Sequence, residues 1–179
     1  AGYPEERTDL FFLQNNTELG PTGGFWGSYG IIKVKDAEIL KFATDDTYNL
    51  DLGADIHVEP PWQLPNLVNP DMDSWYLRDA NWSPDFPESA KKGIWFYQEE
   101  GGEEKEIHGV VAITPTVIEY LLELVGPIAV EGTTFTSENL TEQLQLEVEQ
   151  SYKEKGIELS RRKDIIGKLA RTLLDKLYT

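Results

Sequence analysis

The chain has 179 residues, 32 acidic and 16 basic, with a formal charge of -16, and is long enough to bury a core without disulfides or a structural metal. So acidic a surface repels polyanions, which excludes nucleic acid and anionic lipid as partners. With no cysteine, thiol nucleophiles, disulfide scaffolds and cysteine-ligated zinc are excluded too.

Thr8 to Gln14 (TDLFFLQ) is a short apolar run closed by Asn15 and Asn16, the pattern of a buried strand that runs into a loop. A glycine-rich turn, ELGPTGG, follows. Phe25 to Val34 is β-branched and aromatic, and Lys35, Asp36 and Ala37 read as a hairpin turn into a third strand, Glu38 to Thr44. Asp45 to Ser83 carries Pro60, Pro61, Pro65 and Pro70 without a steady period, so it reads as a long loop. Its tryptophans, Trp62, Trp75 and Trp82, give it the apolar weight of an ordered one.

Phe86, Ala90, Ile94 and Tyr97 recur at helical spacing and predict a helix from near Pro87 to Gly101 and Gly102. Ile107 to Ile113 reads as a buried strand. Thr114 and Pro115 open a helix with Val117, Leu121 and Val125 on its apolar face, and Gly126 and Pro127 stop it. Ile128 to Val130 and Thr133 to Thr136 form a strand pair. Ser137 then caps a helix carrying Leu140, Leu144, Val148 and Tyr152, Gly156 breaks it, and Ser160 caps a last helix with Ile166, Leu169, Leu173 and Leu177 as its stripe. Strands first and then alternation predict one α/β domain over 1–179. It is a mixed central sheet with helices packed on its faces and a long ordered loop over one end.

The segment Trp75 to Pro87 (WYLRDANWSPDFP) sets Arg78, Asp79, Asn81 and Asp85 among Trp75, Tyr76 and Trp82. Arginine can grip a carboxylate or phosphate through two parallel bonds, and the rings offer stacking platforms to sugars or bases. The same residues equally describe an Arg78 paired with Asp79 or Asp85 to pin the loop over the sheet. Asp45, Asp46, Asp51 and Asp55 supply oxygen ligands of the kind Mg²⁺ or Ca²⁺ prefers, although the spacing matches no EF-hand and an exposed acidic turn is the plainer reading. The glycine-rich turn lacks both phosphate-loop patterns. Arg161, Arg162 and Lys163 fall in the first turn of the last helix, where the helix dipole disfavours cations. Either they hold an anion or they answer Glu154 and Glu158. His57 and His108 lie far apart and specify no catalytic triad.

Three motifs, LQNNTELGPTGGFWGSYG (Leu13 to Gly30), LRDANWSPDFPESA (Leu77 to Ala90) and HGVVAITPTVIEYLLELVGPIAV (His108 to Val130), closely resemble the bacterial family of domains of unknown function numbered four thousand and twelve. That resemblance covers nearly the whole chain. It implies an extracytoplasmic, cell-surface domain behind an N-terminal membrane anchor, and the start at Ala1 and Gly2 fits a fragment from which that anchor has been removed. A fainter similarity, at the first strand and glycine-rich turn, DDTYNL (Asp45 to Leu50), the IHGVVAI strand with its helix, and RRKDIIGKL (Arg161 to Leu169), is to the LytR-CpsA-Psr family. Its members transfer glycopolymers from a lipid pyrophosphate carrier to the cell wall. That family carries an Arg and an Asp after the turn, where this chain has Phe25, Trp26 and Gly27, and an Arg-Asp pair where it has Asp45 and Asp46.

The resemblance implies a LytR-CpsA-Psr-like fold in which Asp46 persists. Arg78 would replace the lost arginine charge if its loop folds toward Asp46 and Arg161. Three functions follow as expectations. The first is a cell-envelope domain that binds a glycan or lipid-linked glycan phosphate through Trp75, Tyr76, Asn81, Trp82, Asp85, Arg161 and Arg162. The second is a phosphotransferase with Arg78, Asp79 and Asp46 catalytic and Mg²⁺ on Asp45 and Asp46. The third is a non-catalytic structural module.

Overall fold

The computed structural model describes residues 2–178. Strands β1 (Arg7–Asn15), β2 (Phe25–Lys35) and β3 (Glu38–Asp46) form an antiparallel meander, and β4 (Gly109–Ile113) joins it parallel to β1, giving the order β3-β2-β1-β4. The fold is thus mixed α/β with a four-stranded mixed sheet. β4 is an edge strand with Val111 49% exposed, not the buried strand its apolar run suggests. The hairpin between β2 and β3 turns through Asp36 (φ 49°) and Ala37 (φ 66°), both at the positive φ that a two-residue primed turn requires.

Alternation along β1 sends Leu10 and Phe12 to one face, where Trp26, Leu77, Phe96 and Tyr97 complete a buried cluster under helix α2 (Phe86–Glu99). Phe12 stacks flat on Trp26 with ring centroids 3.8 Å apart. From the next position, the Phe11 ring crosses Gly30 to stack on Phe42 of β3. Any side chain at Gly30 would strike it, since a Cβ there would lie 2.3 Å from the ring. A second buried cluster gathers Leu122 of α3 (Pro115–Val125), Ile128 and Phe135 of the small hairpin β5 (Ile128–Val130) and β6 (Thr133–Phe135), Leu140 of α4 (Leu140–Leu146) and Leu169 of α6 (Asp164–Leu177). Helix α6 meets β3 closely, with Gly167 against Thr44 and Arg171 Nη2 donating to the Phe42 carbonyl at 2.9 Å.

Three local expectations change. The stretch that reads as one long loop contains helix α1 (Thr47–Gly53), a π-helical turn (Leu64–Val68) and a 3₁₀ helix (Leu77–Trp82). Asp46 starts α1 by accepting from the Tyr48 N–H at 3.1 Å. Ser137 is not a cap: α4 begins at Leu140, and its entry is closed by Asn139 Oδ1, which accepts from the Thr136 N–H at 2.8 Å, while Thr136 Oγ1 accepts from the Asn139 N–H at 3.2 Å. Nor does Ser160 cap α6. Residues Leu159–Arg161 form a 3₁₀ turn and α6 starts at Asp164, so the basic triplet lies in the approach to the helix. Helix α4 continues through a π turn (Glu147–Ser151) into α5 (Tyr152–Glu154), and Gly156 at φ 67° ends the run. Among the described residues no helix is long and apolar enough to cross a membrane.

Candidate functional site

The centre of the site is Asp46, at the end of β3 and only 2% exposed. Lys163 Nζ lies 2.8 Å from Oδ1 and Arg162 Nε 3.2 Å from Oδ2. Lys163 also donates to the carbonyl of Gly27 on β2. A Cβ at Gly27 would approach that ammonium to 3.3 Å, so the glycine leaves room for the cation. Arg162 and Lys163 of the basic triplet are therefore answered by an acid more than a hundred residues away in sequence rather than by Glu154 or Glu158. Burial pulls the Lys163 ammonium pKa down, against the opposing pull of Asp46. Two cations share this one buried carboxylate, with Glu18 also acting on Lys163.

The half-exposed ring of Tyr48, on the first turn of α1, gathers a third cation. Arg78 sits 4.9 Å from its centroid, Lys163 5.6 Å and Arg162 5.9 Å. Arg78 also lies 4.9 Å over Tyr76, pairs with Asp51 Oδ2 at 2.7 Å and has Asp79 Oδ2 3.5 Å from its Nε. Behind it, Glu100 Oε1 accepts from the Leu77 N–H at 2.9 Å. Burial, with Asp51 beside it, pushes the Glu100 carboxyl up to about 9, so it holds its proton at neutral pH. Glu100 Oε2 and Asp51 Oδ1 are buried without an N–H or hydroxyl partner, and the retained proton joins the two carboxyls. Burial likewise raises Asp79, to about 6, with Arg78 opposing.

Beside the cations opens a cavity of about 310 Å³ between the end of the sheet and helices α3, α4 and α6. Phe25, Ile118, Leu144, Val148 and Ile166 give it apolar walls, and Tyr48, Arg162 and Lys163 stand in its lining with the acids Glu18 and Glu149.

The structure brings Asp46 and Arg162 together, links Arg78 to them only through the Tyr48 ring while its charge pairs with Asp51, and leaves Arg161 aside, paired with Asp164 at 2.9 Å on the surface. The aromatic loop is mainly a plug. Trp75 packs edge-on against Phe96 and donates Nε1–H to the Asp79 carbonyl, and buried Asn81 donates to Thr22 Oγ1 and the Gly24 carbonyl, both at 2.8 Å. Trp82 is half-buried, and Asp85 is exposed at the start of α2. The glycine-rich turn is tied down by Gln14, whose Oε1 accepts from Trp26 Nε1 and from Thr22 Oγ1. His108 Nδ1 accepts from the Thr8 N–H at 3.0 Å and serves the sheet edge.

Asp45 and Asp46 do not offer paired ligands to Mg²⁺. Both Asp46 oxygens face cations, and Asp45 Oδ1 accepts from Asn49 Nδ2 at 2.7 Å. Among the described residues no group of three or more His, Asp or Glu is arranged to hold a metal. Tyr48 and Glu100 are not singled out as site residues by the sequence. Lys163 carries a local signal as the third member of the basic run, and Asp51 as one of four neighbouring acids, which marks it as a metal ligand rather than as the partner of Arg78.

No curated protein and no solved structure matches the chain. A family model described as "Protein of unknown function (DUF4012)" matches residues 4–148, a span that includes Asp46, Tyr48, Arg78 and Glu100 and ends before Arg162 and Lys163. With most of its length inside that match, the chain belongs to the DUF4012 family.

Proposed function

We propose that this is an extracytoplasmic cell-envelope domain that binds the phosphate-bearing end of a lipid-linked glycan. Lys163, Arg162 and Arg78 would hold the phosphate, and the apolar cavity would take the hydrocarbon next to it. The observation that carries this reading is the junction of an apolar cavity with two cations that share a single buried carboxylate. Ligand sites are characteristically apolar with a few fixed polar groups. Charge-assisted bonds to phosphate are strongest where the cations are held in place and partly desolvated.

The similarity to the LytR-CpsA-Psr family supports the same ligand class. DDTYNL and RRKDIIGKL, remote in sequence, meet through Asp46 with Arg162 and Lys163. At the positions where that family carries arginine and aspartate, Trp26 is fully buried, and the charge above Gly27 comes from Lys163 instead. Binding is favoured over transfer because the donors at Asp45 and Asp46 do not suit Mg²⁺. The loop aromatics act from behind, by fixing Arg78.

Calorimetric titration with decyl phosphate, decanol and inorganic phosphate tests the reading. Decyl phosphate should bind, the other two should bind at least tenfold more weakly, and Lys163→Ala should weaken decyl phosphate at least tenfold. Indifference to the phosphate group, or an unchanged affinity in Lys163→Ala, would refute it.

A further inference from the structure

A second cavity, of about 360 Å³, lies on the other side of Arg162, between α6, the approach to it and the β5–β6 hairpin. Its lining is more polar than that of the first, although Tyr152, Ile157 and Ile165 contribute to it. Glu131, Glu147, Glu158, Asp164, Arg161 and Lys168 stand in its wall, and Arg162 lines both cavities. Arg162 hydrogen-bonds Asp46 through Nε, so its guanidinium is anchored at the partition between the two spaces.

We infer that this polar cavity receives the first sugar of the ligand, which rests on the proposed phosphate-binding reading. Along the molecule the order is apolar cavity, cation pair, polar cavity. That is the order of hydrocarbon, phosphate and saccharide in a lipid-linked sugar. Acids and bases nearly balance in the polar wall, four against three with Arg162 included, so it suits a neutral group better than a second phosphate. Sugar hydroxyls both donate and accept, and a wall of mixed carboxylates and cations satisfies both roles. The wall is also built in advance. Glu147, 7% exposed, accepts from Thr133 Oγ1 and from Lys155 Nζ, both at 2.6 Å, and the buried Tyr152 ring lies beside it. A fixed polar wall costs little ordering entropy on binding.

Titrate decyl phosphate and its glycosylated counterpart, decyl phospho-N-acetylglucosamine, into the wild type and into the double variant Glu158→Gln/Lys168→Ala. Both residues are exposed and neither pairs with Asp46; Lys168 pairs with Glu131. In the wild type the sugar-bearing ligand should bind at least tenfold more tightly than decyl phosphate. In the variant that advantage should vanish while decyl phosphate affinity stays the same. Equal affinities in the wild type, or an advantage that survives the double substitution, overturn the sugar compartment and leave the phosphate site standing. A protein that binds neither ligand overturns both.

Discussion

Replacing Glu100 by glutamine should make the protein more stable at alkaline pH, although the residue is buried and hydrogen-bonded. Three acids, Asp51, Asp79 and Glu100, surround the single base Arg78, and Asp51 and Glu100 are 4% and 5% exposed. The Glu100 carboxyl stands at about 9 in the folded chain against an ordinary 4.5. Between those values the folded state holds a proton that the unfolded chain has released. The stability this carboxyl contributes is therefore complete below pH 4.5 and is lost as pH rises toward 9, the reverse of a salt-bridged acid. The slope is ~1.4 kcal/mol per pH unit, which gives a ceiling of ~4 kcal/mol between pH 5 and pH 8.

Glutamine keeps the shape and does not titrate. Its oxygen can accept from the Leu77 N–H and its amide can donate to the orphaned Asp51 Oδ1. Urea unfolding of the wild type and Glu100→Gln, followed by tryptophan fluorescence from pH 5 to pH 8, reads the Glu100–Asp51 pair against the titrations the two proteins share. The stability difference should move in favour of the variant as pH rises. Parallel profiles, or a variant less stable than the wild type at pH 8, would refute a proton held between Glu100 and Asp51.

Two further substitutions test the turn and the charge cluster. Ala37→Gly should stabilise the β2–β3 hairpin by ~1 kcal/mol, because alanine sits at φ 66° where an L-residue is strained by that order; a lower thermal midpoint would contradict the turn geometry. Asp46→Ala should cost ~3–5 kcal/mol in urea unfolding, since it leaves Lys163 and Arg162 beside each other without their buried counter-charge. Asp46→Asn should cost less because the amide oxygen can still cap Tyr48. A loss below ~1 kcal/mol in Asp46→Ala would place the cluster among solvent-screened surface pairs.

Much of the fold was legible from local pattern. The runs TDLFFLQ and FWGSYGIIKV became β1 and β2, and Thr114-Pro115 with Gly126-Pro127 bounded α3 at Pro115 and Val125, because alternation, proline and glycine act through the backbone of their own segment. Helix α1 escaped notice because it is only seven residues long, and two of them, Thr47 and Asp51, bury through tertiary contacts. The loop WYLRDANWSPDFP could be recognised as ordered, but composition does not tell a ring that faces a ligand from one that faces Phe96. Arg161 stood out with Arg162, yet neighbouring positions on a turn point in different directions, and only Arg162 and Lys163 reach Asp46.

The sequence by itself determined the strands and the longer helices, the acidic composition and the family, since each depends on short-range pattern or composition. Only the tertiary structure decided the partners of the charges. Asp46 meets Lys163 across the sheet, and Glu100, which reads as an ordinary glutamate at the end of a helix, is enclosed with Asp51. Charge interactions depend on distance through space and on burial, and the chain topology sets both.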